Sequence, residues 1–296
     1  MFSIKEGALP DRSNVSLAVL EGYAKFIRTE TVRLTRIAGA GHYSSTFSCA
    51  EMLAALYYAQ MRIEPSNPNW EDRDRFVMSK GHAAIGLYPV LADLGYFDPA
   101  ELDTYTRLGS KYGDHPDMKK VRGLDFSSGS LGHGLSIGLG MALAGRVSGR
   151  DYRTYVMLGD GEISEGQIWE AVIAAGHFQL GHLVLLLDRN GLCIDGHTED
   201  IMGIEPVHER FAAFGWDVQR IDGHDFPSIL GAFQNLPEGT TGKPQAIVCD
   251  TVKGRGVKRM EMSLDWHVGN LVGEDYDDVM AELEAGLQPY EAEPVA

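Results

Sequence analysis

The chain has 296 residues, of which 44% are hydrophobic, 23% charged and 9% aromatic, the make-up of a globular protein with ample material for a buried core. Asp and Glu number 42 against 26 Lys and Arg, a formal net charge of −16, which argues against nucleic acid and against an anionic membrane surface as partners. No basic segment followed by an apolar run opens the sequence, and no apolar stretch approaches the roughly 18–20 residues needed to cross a bilayer. Cys49, Cys193 and Cys249 form no CxxC pair, which suits reduced thiols in the cytoplasm and speaks against a cysteine zinc site.

In chain order, an amphipathic pattern over residues 15–37, interrupted only by Gly22, predicts one long helix. A second helix is expected over residues 48–61. Asp98-Pro99-Ala100-Glu101 reads as a helix start, with Asp98 as cap and Pro99 in the first position. Apolar runs of strand length follow at 155–158, 183–187, 218–221 and 246–248, separated by helical patterns such as 165–178 and 206–214. Buried strands alternating with helices predict an α/β fold, a parallel sheet covered by helices on both faces. No repeat or linker divides the chain, so residues 1–296 are expected to form a single domain, with 268–296 as a C-terminal tail. In such sheets ligands sit beyond the carboxyl ends of the strands.

Just past the 155–158 run stands Gly159-Asp160-Gly161, and just past the next stands Asp188-Arg189-Asn190-Gly191-Leu192. Two glycines let backbone approach a phosphate, and Asp160 can hold a divalent cation. The 30 positions from Asp160 to Asn190 fit one strand–helix–strand crossover, which brings both to one sheet edge on adjacent strands. A carboxylate, an amide oxygen and a nearby backbone carbonyl form a hard, incomplete oxygen shell that Mg²⁺ would complete with diphosphate oxygens and water. A Gly-Asp-Gly alone is only a turn signal; its pairing with Asn190 is more specific.

This pair resembles the thiamine diphosphate signature. The segment from Gly159 through Ala171 resembles transketolases almost residue for residue. So do Arg75 to His82, Ser128 to Gly132, Ile221-Asp-Gly-His-Asp225, and Thr251-Val-Lys-Gly-Arg-Gly256 with Trp266-His267. The matches run in order from about Gly41 to His267. They resemble the N-terminal, diphosphate-binding half of the family and suggest one subunit of a split transketolase.

The resemblance implies thiamine diphosphate and Mg²⁺ (or Ca²⁺ or Mn²⁺) as cofactors. It implies that Asp160, Asn190 and the carbonyl of Leu192 ligate the metal. Ser45, His82, Gly129, Ser130, Leu131, Gly161, Glu162, Ile194, Lys253 and His267 fall on positions lining the cofactor. His42 and His115 match histidines that face the reacting sugar, and Glu165 matches an acidic residue at the dimer centre. The implied activity is transfer of a two-carbon ketol unit from a ketose to an aldose. The implied partner is a pyrimidine-binding, C-terminal-half subunit in an α₂β₂ assembly. That partner would supply the glutamate beside the pyrimidine and the basic residues gripping a sugar phosphate.

Two departures mark the chain. Many relatives have Gly-Gln-Gly where this chain has Gly132-His133-Gly134, and Gly-His-Pro where it has Asp114-His115-Pro116. Both lie near the expected substrate entrance and leave open whether the sugar is an ordinary pentose phosphate or a sulfonated or branched ketose. His177, His182, His197 and His208 match no cofactor position and are read as solvated or capping groups. His224 is read as capping the turn after a strand, and Gly132, Gly134, Gly138 and Gly140 as sites of close helix packing. Rival readings are another thiamine diphosphate enzyme, of the 2-oxo acid dehydrogenase or deoxyxylulose phosphate synthase type, and a non-catalytic binding module. The Lys80-Gly-His82, 253–256 and Trp266-His267 elements weigh against the former, and the intact Asp160, Asn190, His82 and His267 against the latter.

Overall fold

The computed structural model describes residues 15–287. Its framework is five parallel strands in the order β1-β2-β3-β5-β4: β1 (Arg75–Met78), β2 (Thr154–Gly159), β3 (Leu183–Arg189), β4 (Asp217–Asp222) and β5 (Gln245–Asp250). Side chains alternate across each strand, so a strand buried on both faces must be apolar at every position. Tyr155, Met157, Val184, Leu186 and Ile247 face one layer, while Val156, Leu158, Leu183, Leu185, Leu187 and Val248 face the other. Each such side chain taken fully out of water stabilises the fold by about 1.5–3 kcal/mol.

The first layer comprises α1 (Leu17–Ala38), α2 (Ser44–Phe47), α3 (Ala50–Ala55), α4 (Ala84–Asp93) and, later in the chain, α9 (Phe226–Gln234). Helix α1 stops at Gly39, whose φ of 82° lets its N–H turn back to the Thr35 carbonyl. The second layer comprises α5 (Gly134–Val147), α6 (Gly166–Phe178) and α8 (Val207–Ala213), with the short α7 (Thr198–Met202) in the connection before it. The 268–296 stretch carries α10 (Glu274–Ala285), whose Val279 and Leu283 are buried with Val32 of α1 and with Tyr43 and Phe47.

Several elements differ from the sequence reading. The helix expected over 48–61 is present but starts at Ala50, after Cys49 as its N-cap, and its last turn, Leu56–Gln60, is π-helical. Asp98 caps as expected, accepting the Ala100 N–H, but the helix it starts is a 3₁₀ segment, Pro99–Thr104. Strand β1 is not among the strands expected from the sequence. Among the glycines read as packing sites, Gly134 and Gly138 fit: an added Cβ would come within 2.3 Å of Ser79 and of Val156, respectively. Gly140 does not, since a Cβ there would meet nothing within 4 Å among the described residues. His182 is a correction. It is buried, with its ring nitrogens at the Tyr152 and Glu238 carbonyls, and ties the start of β3 to its surroundings.

Candidate active site

Strand register places the site. Gly159 on β2 pairs with Asp188 on β3, so the residues that follow, Asp160 and Arg189-Asn190, emerge side by side at the carboxyl edge. On the other side of β3, Asp188 pairs with Cys249 of β5, which leads into Thr251 and Lys253. Beyond this edge lies a cavity of about 510 Å³ bordered by His42, Ser45, His82, His115, Gly129, Leu131, Asp160, Gly161, Glu162, Asn190, Leu192, Ile194, Lys253 and His267. Ser130 and Glu165 are exposed and do not border it. Glu165 instead packs on Gly132, whose φ is +87° and where a Cβ would come within 2.8 Å of the Glu165 Cβ.

The floor is a buried ion pair. Lys80 donates to the Asp188 carboxylate and to the Ser45 carbonyl, and both side chains are almost fully enclosed. Burial opposes both charges. Even so, Asp188 holds Lys80 raised to about 12, and Lys80 holds Asp188 below its ordinary range. Asp188 also accepts from Ser48, Thr251 and the Asn190 amide nitrogen. That last bond orients the Asn190 side chain, leaving its Oδ1 to accept the Leu192 N–H at 3.2 Å. Glu162 is likewise buried, and burial raises its pKa; it accepts from Ser79 and from the Gly132 and Gly159 N–H groups, fixing the Gly132 turn to the end of β2.

Two of the three oxygens expected to ligate a metal, those of Asp160 and the Leu192 carbonyl, already face a cationic side chain. Asp160 Oδ2 accepts from Arg189 at 2.9 Å and from the Gly191 N–H, and Oδ1 from the Gly161 N–H. Burial, followed by the Asp188 charge, raises its pKa. The Leu192 carbonyl accepts from Lys253 at 2.9 Å. Among the described residues no group of three or more His, Cys, Asp or Glu side chains could hold a metal ion. One carboxylate, one amide oxygen and one carbonyl, converging beside a cavity, fit a hard divalent cation whose remaining ligands come from a phosphate and water. Lys253, lowered to about 8 by burial and then by the Lys80 charge, stays protonated at neutral pH.

Four histidine rings form a second cluster on the same cavity. His42 lies 5.1 Å from His82, 5.5 Å from His267 and 6.5 Å from His115, centroid to centroid. Burial drives His82 well below its ordinary pKa and, with Lys253 adding repulsion, lowers His267 to about 4, so both are neutral. Among the described residues the buried Nδ1 of His267 and the buried Oγ of Ser45 have no hydrogen-bond partner, and the buried Nδ1 of His42 has only the Asp114 carboxylate nearby, at 3.5 Å. Leaving a buried polar atom unpaired costs about 1–3 kcal/mol, and two such atoms on one cavity, Ser45 Oγ and His267 Nδ1, fit a polar ligand that satisfies them.

His224 corrects the turn-cap reading. Its Nδ1 lies 2.9 Å from Glu51, and its Nε2 accepts the Val252 N–H at 2.8 Å, next to Lys253. Glu51 in turn forms a buried two-point ion pair with Arg28. Sequence reasoning missed this relay, along with Lys80, Asp188 and Arg189 as site-shaping charges. Contacts 173 residues apart leave no local pattern.

Residues 21–295 match the family described as "Transketolase, thiamine diphosphate binding domain". The chain is 39% identical over 279 residues to one subunit, designated A, of the apulose-4-phosphate transketolase of Phocaeicola vulgatus, covering 94% of this chain and 99% of that protein. It is 42% identical over 265 residues to the SqwG subunit of the 6-deoxy-6-sulfo-D-fructose transketolase of a Clostridium species, covering 90% and 96%. Among solved structures, transketolase from Campylobacter jejuni superposes with a TM-score of 0.85 at 29% identity, over 91% of this chain and 43% of that one. The chain therefore spans less than half the length of that structure. Fold, family match and high-coverage relatives agree, and this chain belongs to the transketolase family through its thiamine diphosphate binding domain.

Proposed function

We propose that the chain is the diphosphate- and Mg²⁺-holding subunit of a two-chain transketolase that moves a two-carbon ketol unit from a ketose to an aldose. The observation that carries this reading is the convergence of two clusters on one cavity: Asp160, Asn190, the Leu192 carbonyl and Lys253 in one, and four histidines in the other. Asp160, Asn190 and Leu192 would hold the metal. Lys253 would neutralise diphosphate, and Ser45, His82 and His267 would satisfy its polar groups. Thiamine diphosphate, when bound, supplies the electron sink that lets the C2–C3 bond of a ketose break. His42 and His115 would hydrogen-bond the sugar hydroxyls and carry protons during that cleavage.

A partner chain resembling the C-terminal half of transketolase would complete the site, in an α₂β₂ assembly. The two relatives named as subunits, which this chain spans almost entirely, support this. Glu165, exposed beside the Gly132 turn, would meet that partner. The names of the same relatives support a modified ketose as donor, since they specify apulose 4-phosphate and a sulfonated fructose. A cytoplasmic setting is supported by the unpaired Cys49, Cys193 and Cys249; no helix among the described residues is long and apolar enough to cross a membrane. The test is calorimetry with thiamine diphosphate and Mg²⁺ on the chain mixed with its candidate partner. Metal-dependent binding supports the reading, and binding indifferent to metal overturns the ligand assignment.

A further inference from the structure

Asp114 stands where two of the cavity histidines meet. Its Oδ1 lies 3.5 Å from His42 Nδ1, and its Oδ2 lies 3.7 Å from His115 Nδ1, so each oxygen serves one ring. These distances are within electrostatic reach and just short of aligned hydrogen bonds, as is common before a substrate tightens a site. The carboxylate itself is fixed. The buried Tyr105 hydroxyl donates to Oδ1 at 3.3 Å, and the Tyr88 hydroxyl holds the preceding Gly113 carbonyl at 2.9 Å. The His42 imidazole beside it, more than any other group, keeps the Asp114 carboxyl below its ordinary range, so it is ionised at neutral pH.

The other rings near His42, those of His82 and His267, are neutral. His42 Nδ1 is buried and has no aligned hydrogen-bond partner among the described residues. On His115, the Cβ–Cγ–Cδ2 side lies against Gly129, a cavity residue: a Cβ built there would sit 3.7 Å from both Cδ2 and Cγ and 3.8 Å from the His115 Cβ. Nδ1 thus lies beside Asp114, while the Cδ2 side lies against a residue with which His115 shares the lining of the cavity.

We infer that Asp114 is a positioning residue that sets the tautomer of His42 and His115 together. It holds a proton on both Nδ1 atoms, so that both Nε2 atoms accept hydrogen bonds from sugar hydroxyls. A neutral histidine has one donor and one acceptor nitrogen, and the group facing one nitrogen decides the role of the other. Free imidazole side chains favour the opposite form, with the proton on Nε2, so the carboxylate has a preference to reverse. The ligand chemistry that follows is a polyhydroxylated carbon chain offering hydroxyl donors to two adjacent acceptors. For its catalytic consequence the inference rests on the ketol-transfer reading; the tautomer itself does not.

The test is ring ¹⁵N spectroscopy of the full chain at mildly alkaline pH, with His42 and His115 assigned through His42→Gln and His115→Gln. The wild type is expected to show both rings protonated on Nδ1. Asp114→Ala should move both toward Nε2, and Asp114→Glu should restore at least one. Circular dichroism of each variant checks the fold, and a packing role alone would leave the tautomers unmoved. Rings unchanged by Asp114→Ala, or already protonated on Nε2 in the wild type, would overturn the inference. In the two-chain complex, Asp114→Ala should lower kcat on the order of tenfold with cofactor affinity unchanged, a smaller loss than removing an acid–base group outright. An unchanged kcat would remove the catalytic consequence. A wild-type complex that binds no cofactor would refute the proposed function and leave the tautomer result to stand or fall by itself.

Discussion

Arg189 and Asp160 form an ion pair of 2.9 Å at the point where strands β2 and β3 end, with the Asp160 side chain only 1% exposed. The guanidinium is shared with Glu199, Glu205 and Thr198, so it neutralises a carboxylate that burial would otherwise make costly. Arg189 thus sets a positive charge against one of the oxygens proposed to hold the cation. Arg189→Gln is expected to lower the thermal midpoint of the ligand-free chain. It should also enlarge the rise in midpoint produced by Mg²⁺ and thiamine diphosphate in the complex, because the cation then meets an uncompensated carboxylate. Differential scanning calorimetry with and without ligands checks both.

Asp160→Ala removes the sole carboxylate of the proposed oxygen shell. Cofactor binding in the presence of Mg²⁺ should be abolished, as read by isothermal calorimetry on the two-chain complex. Unchanged affinity would sink the metal assignment.

His42 and His115 are expected to act on the sugar. Alanine at either should lower turnover by roughly 10²–10⁴ while leaving cofactor affinity nearly intact. Steady-state kinetics paired with calorimetry separates the two effects, and a collapse of cofactor binding with the fold retained would make their role structural.

The Arg28–Glu51–His224 relay gives a pH prediction. Burial works to raise the Glu51 pKa, but the Arg28 charge and then His224 override it, lowering it from 4.5 to about 2. A carboxyl depressed in the folded state adds stability that is complete above its unfolded pKa. That stability is lost as pH falls through the folded value, here between about 4.5 and about 2. Glu51→Gln should therefore cost about 3–5 kcal/mol near neutrality, by stranding Arg28. It should also flatten the dependence of the urea midpoint on pH across that window, measured by circular dichroism.

Two glycines of α5 should respond in opposite ways to alanine. At Gly138 a Cβ would come within 2.3 Å of Val156, so Gly138→Ala should destabilise by about 1–3 kcal/mol. Gly140 is helical and has open space around it, so Gly140→Ala should stabilise the isolated chain by about 0.5–1 kcal/mol. Denaturant titration of the pair decides the matter.

Where chemistry attaches to a strand end, the sequence was readable. Strand, glycine pair and carboxylate are contiguous, and the crossover length put Asp160 beside Asn190, as the register of β2 and β3 has it. The helices α1 and α6 were readable for a similar reason, since long periodic stretches carry their own evidence. What was hidden depends on partners far away in the chain. Lys80 meets Asp188 across 108 residues, and His224 meets Glu51 across 173. Asp114 stood out in sequence only as a departure from the family pattern; its place between two imidazoles needed coordinates. His182 looked like one histidine among ten, and only its burial between two carbonyls shows otherwise.

The central claim is that this chain supplies one half of a ketol-transferring site. The most direct measurement is a ketose-to-aldose transfer assay with thiamine diphosphate and Mg²⁺, run on the purified chain alone and again with its candidate partner, across phosphorylated, branched and sulfonated ketose donors. The account predicts no transfer from the chain alone and transfer from the mixture with at least one donor. Robust transfer by the isolated chain, or none from the mixture with any donor, would contradict it.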